Sequence, residues 1–145
     1  MLDEASTEKL LEFELLQALS FVYNTYGFFY DENGDIPTAM EYYHKSLKIR
    51  EQIDDKEGAA MSYNNIGSIH HYMEDYDLAL SYYEKSLGIV LDLQDTLGMS
   101  RSYSNIGVIY NEKGLFEEGI RFTKRALDLK KKINDKYGLA SGFIN

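Results

Sequence analysis

The chain has 145 residues, of which 44% are hydrophobic, enough for one packed domain. It has no cysteine, which excludes a disulfide framework, thiolate chemistry and a cysteine-ligated metal site. Its net charge of −9 argues against nucleic acid as the main partner, because phosphate binding needs a basic footprint. The charge is uneven: residues 1–100 hold 6 basic and 19 acidic side chains, residues 101–145 hold 9 and 5. No apolar run approaches the ~20 residues that span a bilayer. The acidic start "MLDEASTEKL" lacks the marks of a signal peptide, so a cytoplasmic chain is expected.

In chain order, the apolar spacing predicts helices over 7–33, 36–53, 56–73, 76–93, 96–113, 116–133 and from 136 onward. The first, through "KLLEFELLQALSFVYNTYGFFY", is apolar nearly all round, a pattern that predicts burial on more than one side. Asp35, Asp55, Asp75, Asp95 and Asp135 are expected N-caps, with Pro37 in the first turn after Asp35. Leu115 stands at the equivalent place in the third unit, leaving Glu117 and Glu118 to favour that helix through its dipole.

These elements repeat. "SYNNIGSI" begins at Ser62 and "SYSNIGVI" at Ser102, forty residues later, and the register extends without insertion. Gly27, Gly67 and Gly107 recur in the first helix of each pair, and Ala39, Ala79 and Gly119 in the second. A glycine inside a helix costs about 1 kcal/mol against alanine, so three in register imply close backbone approach between paired helices. The expected organisation is an N-terminal extension (1–19), units at 20–59, 60–99 and 100–139, and the start of a fourth at 140–145. With Leu139, Phe143 and Ile144 left partly unpacked, the chain reads as a piece of a longer array.

The repeated residues resemble a tetratricopeptide repeat. Its W-x2-L-G-x2-Y pattern is met as Tyr63, Ile66, Gly67, His70 and as Tyr103, Ile106, Gly107, Tyr110, with Tyr23, Tyr26, Gly27, Tyr30 in the first unit. Ala39, Tyr43, Ser46 and Ala79, Tyr83, Ser86 match its later positions, and Gly119, Thr123, Ala126 do so more loosely. The period is forty rather than about thirty-four, and the closing proline is absent, as in a longer-repeat branch of the family. The resemblance implies an all-α, right-handed superhelix of antiparallel helix pairs whose concave groove is lined by the first helix of each pair. It also implies a non-enzymatic module that binds a peptide or extended protein segment, within a larger signalling or regulatory protein. A receptor for a short secreted peptide is the alternative, and a self-assembly scaffold with an idle groove is another. No cofactor and no membrane contact are expected.

Asn65, Asn105 and Asn145 recur at one position that resembles the groove-facing one. A carboxamide donates and accepts, so a row of them can pair with any peptide unit. Equally, each amide can tie neighbouring repeats together, and both readings stay open here. The other groove positions implied are Phe21, Asn24, Phe28, Asp31 and Glu32, then Met61, Asn64, Ser68, His71 and Tyr72, then Arg101, Ser104, Val108, Asn111 and Glu112. A chaperone-tail carboxylate clamp is rejected, because Asn24, Phe28 and Asn105 stand where that clamp needs a lysine, an asparagine and a second base.

His70 and His71 point about 100° apart on a helix, and only His44 exists to help, so no metal site is expected. His70 shares its repeat position with Tyr30 and Tyr110 and reads as a core ring. Tyr23, Tyr43, Tyr63, Tyr83 and Tyr103 likewise read as core. No nucleophile–base pair or phosphate loop is present. The exposed apolar surfaces of the N-terminal helix and of the C-terminal face are expected to drive self-association.

Overall fold

A computed structural model of the chain describes the backbone of residues 3–142 and the side chains of 3–134 and 136. Six helices follow one another: α1 (Glu4–Glu32), α2 (Ile36–Gln52), α3 (Lys56–Tyr72), α4 (Tyr76–Asp92), α5 (Thr96–Glu112) and α6 (Phe116–Gly142). Among the described residues there is no strand. Each helix packs most closely on its pair partner (α1 on α2, α3 on α4, α5 on α6) and less closely on the next pair. The result is an all-α solenoid, with α1, α3 and α5 as the first helices of the pairs.

One turn, used five times, sets the period. Gly34, Asp54, Glu74, Gln94 and Gly114 take positive φ between 54° and 77°. The residue after each donates its N–H to a carbonyl five residues back, as Asp55 does to Arg50 at 2.8 Å and Leu115 to Tyr110 at 2.8 Å. That bond satisfies a carbonyl at the helix end and starts the next helix at once. Asp35, Asp55 and Asp95 then accept from Thr38, Gly58 and Gly98 N–H, capping α2, α3 and α5 as expected. A side chain at residue 58 or 98 would collide with the capping carboxylate, which accounts for both glycines. Asp3 caps α1 in the same way.

Two expectations about the turns are corrected. Asp75 makes no side-chain cap; its carboxylate lies 3.7 Å from His70 Nδ1 instead. The break predicted between 133 and 136 does not form, and α6 runs on to Gly142. In three earlier turns Asp54, Glu74 and Gln94 hold strained left-handed backbone, and here the good helix formers Lys130, Lys131 and Lys132 carry straight through. Leu139, Phe143, Ile144 and Asn145 lie outside the residues whose side chains are described.

The core is itself repeated. Ala39, Tyr43, Leu47, Ala59, Ile66 and Ile69 form one buried cluster, and Ala79, Tyr83, Ile106 and Ile109 form its counterpart forty residues on. Gly27 and Gly67 each lie under a tyrosine ring, Tyr43 and Tyr83, where an added Cβ would come within 2.6 and 2.9 Å. The expected backbone approach is found at Gly107 alone. There Thr123 replaces the tyrosine, and the Gly119 carbonyl and Thr123 N close to 3.1 Å of that Cβ position.

Beside the core runs a ladder of stacked rings. Tyr30 stacks on Tyr42, His70 on Tyr82 and Tyr110 on Phe122, all nearly coplanar at 5.3–5.6 Å. His70 is therefore the ring its repeat position predicted. Lys45, Lys85 and Arg125 stand over the outer rings. Of the five tyrosines read as core, Tyr43 and Tyr83 are buried, while Tyr23, Tyr63 and Tyr103 are half-buried in this ladder.

The pairs are also pinned by serine. Ser46 and Ser86 Oγ donate to the carbonyls of Ser20 and Ala60 on the partner helix, at 2.8 and 2.9 Å. In the third pair the acceptor helix is reversed: residue 126 is alanine, and Ser100 donates to its carbonyl at 3.0 Å. The expectation of a doubly buried α1 is not met. Only Ser20 and Gly27 of α1 are buried, and Leu10, Leu11, Phe13 and Leu15 of the extension are exposed.

Candidate functional site

The first helices of the pairs carry the residues expected to face the groove. Along α3 and α5 the positions 61, 64, 68, 71 and 101, 104, 108, 111 are three and four apart, so they share one face. Phe21, Phe28, Met61, Tyr72 and Val108 are exposed apolar side chains on this face.

The asparagines meet across the repeats. Asn65 Nδ2 donates to Asn24 Oδ1 at 3.1 Å, and Asn105 Nδ2 to Asn64 Oδ1 at 2.8 Å. Each pair joins the first helices of neighbouring units, and all four residues are half-buried. A carboxamide has two N–H donors and a two-lone-pair oxygen, so a pair that spends one of each keeps donors and acceptors for a ligand. Strut and ladder are thus compatible.

Other residues expected to face the groove are placed as follows. His71 Nε2 lies 2.8 Å from Glu112 Oε2, bridging α3 and α5. Ser68 Oγ accepts from the Tyr83 hydroxyl at 3.2 Å. Asn111 is exposed but leans on Gly119 of α6. Burial and the neighbouring Glu32 push Asp31 above the usual carboxylate range. Asn145 lies outside the described residues.

Asn64 and Arg101 come together at a cleft of about 220 Å³ between α3 and α5, with Met61, Glu57, Asp95 and Leu97 around it. Sequence reasoning missed Glu57 and Leu97. They stand one turn before Met61 and Arg101, and extending the groove periodicity back by four residues would have found them. The cleft offers apolar walls, one cation and two carboxylates. Among the described residues, no three His, Asp or Glu side chains gather as a metal site would need, and no helix is long and apolar enough to cross a membrane.

Two family models, both described as tetratricopeptide repeat, match residues 18–92 and 100–133. The chain belongs to the tetratricopeptide repeat family. Such repeats are in general protein-interaction modules rather than catalysts. Among solved structures, the fold is similar to the tetratricopeptide repeat domain of Arabidopsis FLU (TM-score 0.75, 16% identity, 81% of this chain and 98% of that one). It is also similar to BtubC (BKLC) from P. vanneervenii (TM-score 0.73, 23% identity, 79% of this chain). The chain spans about half of that structure, 48%. A third is the N-terminal domain of stress-induced protein-1 from C. elegans (TM-score 0.65, 15% identity, 83% and 95%). At these identities the likeness concerns the fold. A sequence comparison with curated proteins gives no match.

Proposed function

We propose that the concave face of this tetratricopeptide repeat protein binds an extended peptide or protein segment, held by its main chain. The observation that carries this reading is the pair of inter-repeat amide contacts, Asn65 to Asn24 and Asn105 to Asn64, one repeat apart on the apolar face. Each pair retains donors and acceptors that suit a peptide unit and are indifferent to its side chain. Selectivity falls to the exposed Phe28, Tyr72 and Val108, and to Arg101 at the cleft beside Glu57. With a single cation there, the favoured ligand is apolar and carries at most one acidic group.

The test is selection of random short peptides on the immobilised chain, followed by titration of the enriched peptides into isotope-labelled protein. Binding in the groove shifts the side-chain amide signals of Asn24, Asn64, Asn65 and Asn105. Enriched peptides that leave those four signals unmoved overturn the reading.

A further inference from the structure

The repeat register shows that the chain carries both halves of a contact it already makes twice. In α3 and α5 the positions Ser62, Ile66, Ile69 and Ser102, Ile106, Ile109 are at most 2% exposed, because the preceding pair covers them. Forty residues before the first set stand Val22, Tyr26 and Phe29 of α1, at 41%, 48% and 57%. The covering face is formed in α2 by Ile36, Met40 and Leu47, which pack into the cluster of Ile66 and Ile69. The same register positions in α6 are Phe116, Ile120 and Leu127, at 63%, 65% and 51%. Each face is the complement of the other by the chain's own packing rule.

We propose that the occupant of the α1 face is α6 of a second copy of this chain, docked antiparallel so that the solenoid continues from one molecule into the next. Charge favours this pairing over α1 on α1. The extension of α1 carries Glu4, Glu8, Glu12 and Glu14 against the single Lys9, whereas α6 carries Lys130, Lys131, Lys132 and Lys136 towards its end. Within the chain, Arg50 Nη1 donates to the Gly58 carbonyl and to Ser62 Oγ at 2.8 and 2.9 Å. In the same register Lys130 lies opposite residues 18–22, and the lysines that follow run back along the acidic turns. Length agrees too. α1 starts at Glu4 and α6 runs to Gly142, both well past their repeat boundaries, and antiparallel docking lays these extensions side by side. Leu15 and Leu11, seven and eleven residues before Val22, prolong the apolar stripe.

Such a contact joins two different faces, so it leaves one of each open and propagates unless the rotation closes a ring. Sedimentation of the unmodified chain should show mass rising with concentration through dimer and beyond, and falling with added salt as the lysine–glutamate attraction is screened. The double variants V22E/F29E and I120E/L127E each block one face at exposed positions and should be monomeric where the parent associates, with affinity down at least tenfold. Mixed in equal amounts they should form a one-to-one dimer and nothing larger, since each supplies the face the other lacks. Zero-length carbodiimide cross-linking of mixed light and heavy parent chain checks the contact without mutation. It should join lysines 130–136 of one copy to glutamates 8–14 of another. A parent that stays monomeric, an I120E/L127E variant that still associates like the parent, a mixture that forms no dimer, or intermolecular links confined to α1 would each overturn the proposal.

Discussion

The side-chain amide of Asn105 donates to the side-chain carbonyl of Asn64 at 2.8 Å, and Asn65 repeats the contact with Asn24. Both bonds span 41 residues, so each joins the first helices of adjacent units. Replacing Asn65 and Asn105 together by alanine removes two neutral bonds, worth about 0.5–1.5 kcal/mol each, and strands two half-buried carboxamides. The helix propensity of alanine returns roughly 0.5 kcal/mol per site. A net loss of about 1–2 kcal/mol in a melt is expected, together with at least tenfold weaker binding of any groove peptide. Lost stability with unchanged affinity would leave the asparagines as struts alone.

Glycines of the same helical type should respond in opposite directions. A Cβ at Gly67 meets the Tyr83 ring at 2.9 Å and Tyr82 Cβ at 3.3 Å, whereas one at Gly88 meets nothing within 4 Å. Gly88→Ala should stabilise by about 0.5–1 kcal/mol through lost chain entropy. Gly67→Leu should destabilise by about 1–3 kcal/mol or more through overpacking. Denaturant titrations of the two variants check the contrast, and equal midpoints would remove the steric reading.

The period and nearly every helix boundary were legible because they rest on local signals. Each predicted end of α2 to α5 falls within one residue of the observed one, since the Asp caps and the turn residues recur every forty positions. What the period could not supply is orientation. It placed Gly67 opposite α4 without showing that Tyr83, and not backbone, fills the gap. It marked Asp75 as a cap by analogy with Asp35, though that side chain makes no cap bond and lies 3.7 Å from His70 Nδ1. The reach of α6 past residue 133 was illegible for a related reason: "NDK" carries the same turn letters as "DDK" yet stays helical. The register put Asn65 and Asn105 at one helical position but could not reveal Asn24 and Asn64 as their partners.

Turn strain gives a third expectation. Gly34 and Gly114 hold φ of 77° and 75°, and the equivalent residue between them is Glu74 at 61°. A side chain in the left-handed region costs about 1–2 kcal/mol, part of which glycine gives back as entropy of the unfolded chain. Glu74→Gly should therefore stabilise by up to about 1 kcal/mol and raise the melting temperature by a few degrees. A melting temperature at or below that of the parent would mean the glutamate side chain contributes more than its strained backbone costs.

The buried phenol of Tyr43 makes stability fall at alkaline pH. Burial, then the negative charges of Asp31 and Glu32, push its pKa from 10.0 up to about 12. The unfolded chain releases this proton near pH 10 while the folded chain holds it to about 12. Between those values the unfolded state binds fewer protons, so stability drops as pH rises. That difference in pKa corresponds to a few kcal/mol of stability, fully present below pH 10 and mostly lost by about pH 12. Tyr43→Phe keeps the ring over Gly27 and removes only the titrating group. At pH 8, where the phenol is protonated in both states, the two proteins should differ by about 1 kcal/mol or less. As the pH rises from 10 to 12 the parent should lose stability relative to the variant. Denaturant midpoints at several alkaline pH values measure both curves, and Tyr63, also raised to about 12, is common to the two and cancels in their difference. Curves that stay parallel from pH 8 to 12 would show that Tyr43 titrates alike in the folded and unfolded chain.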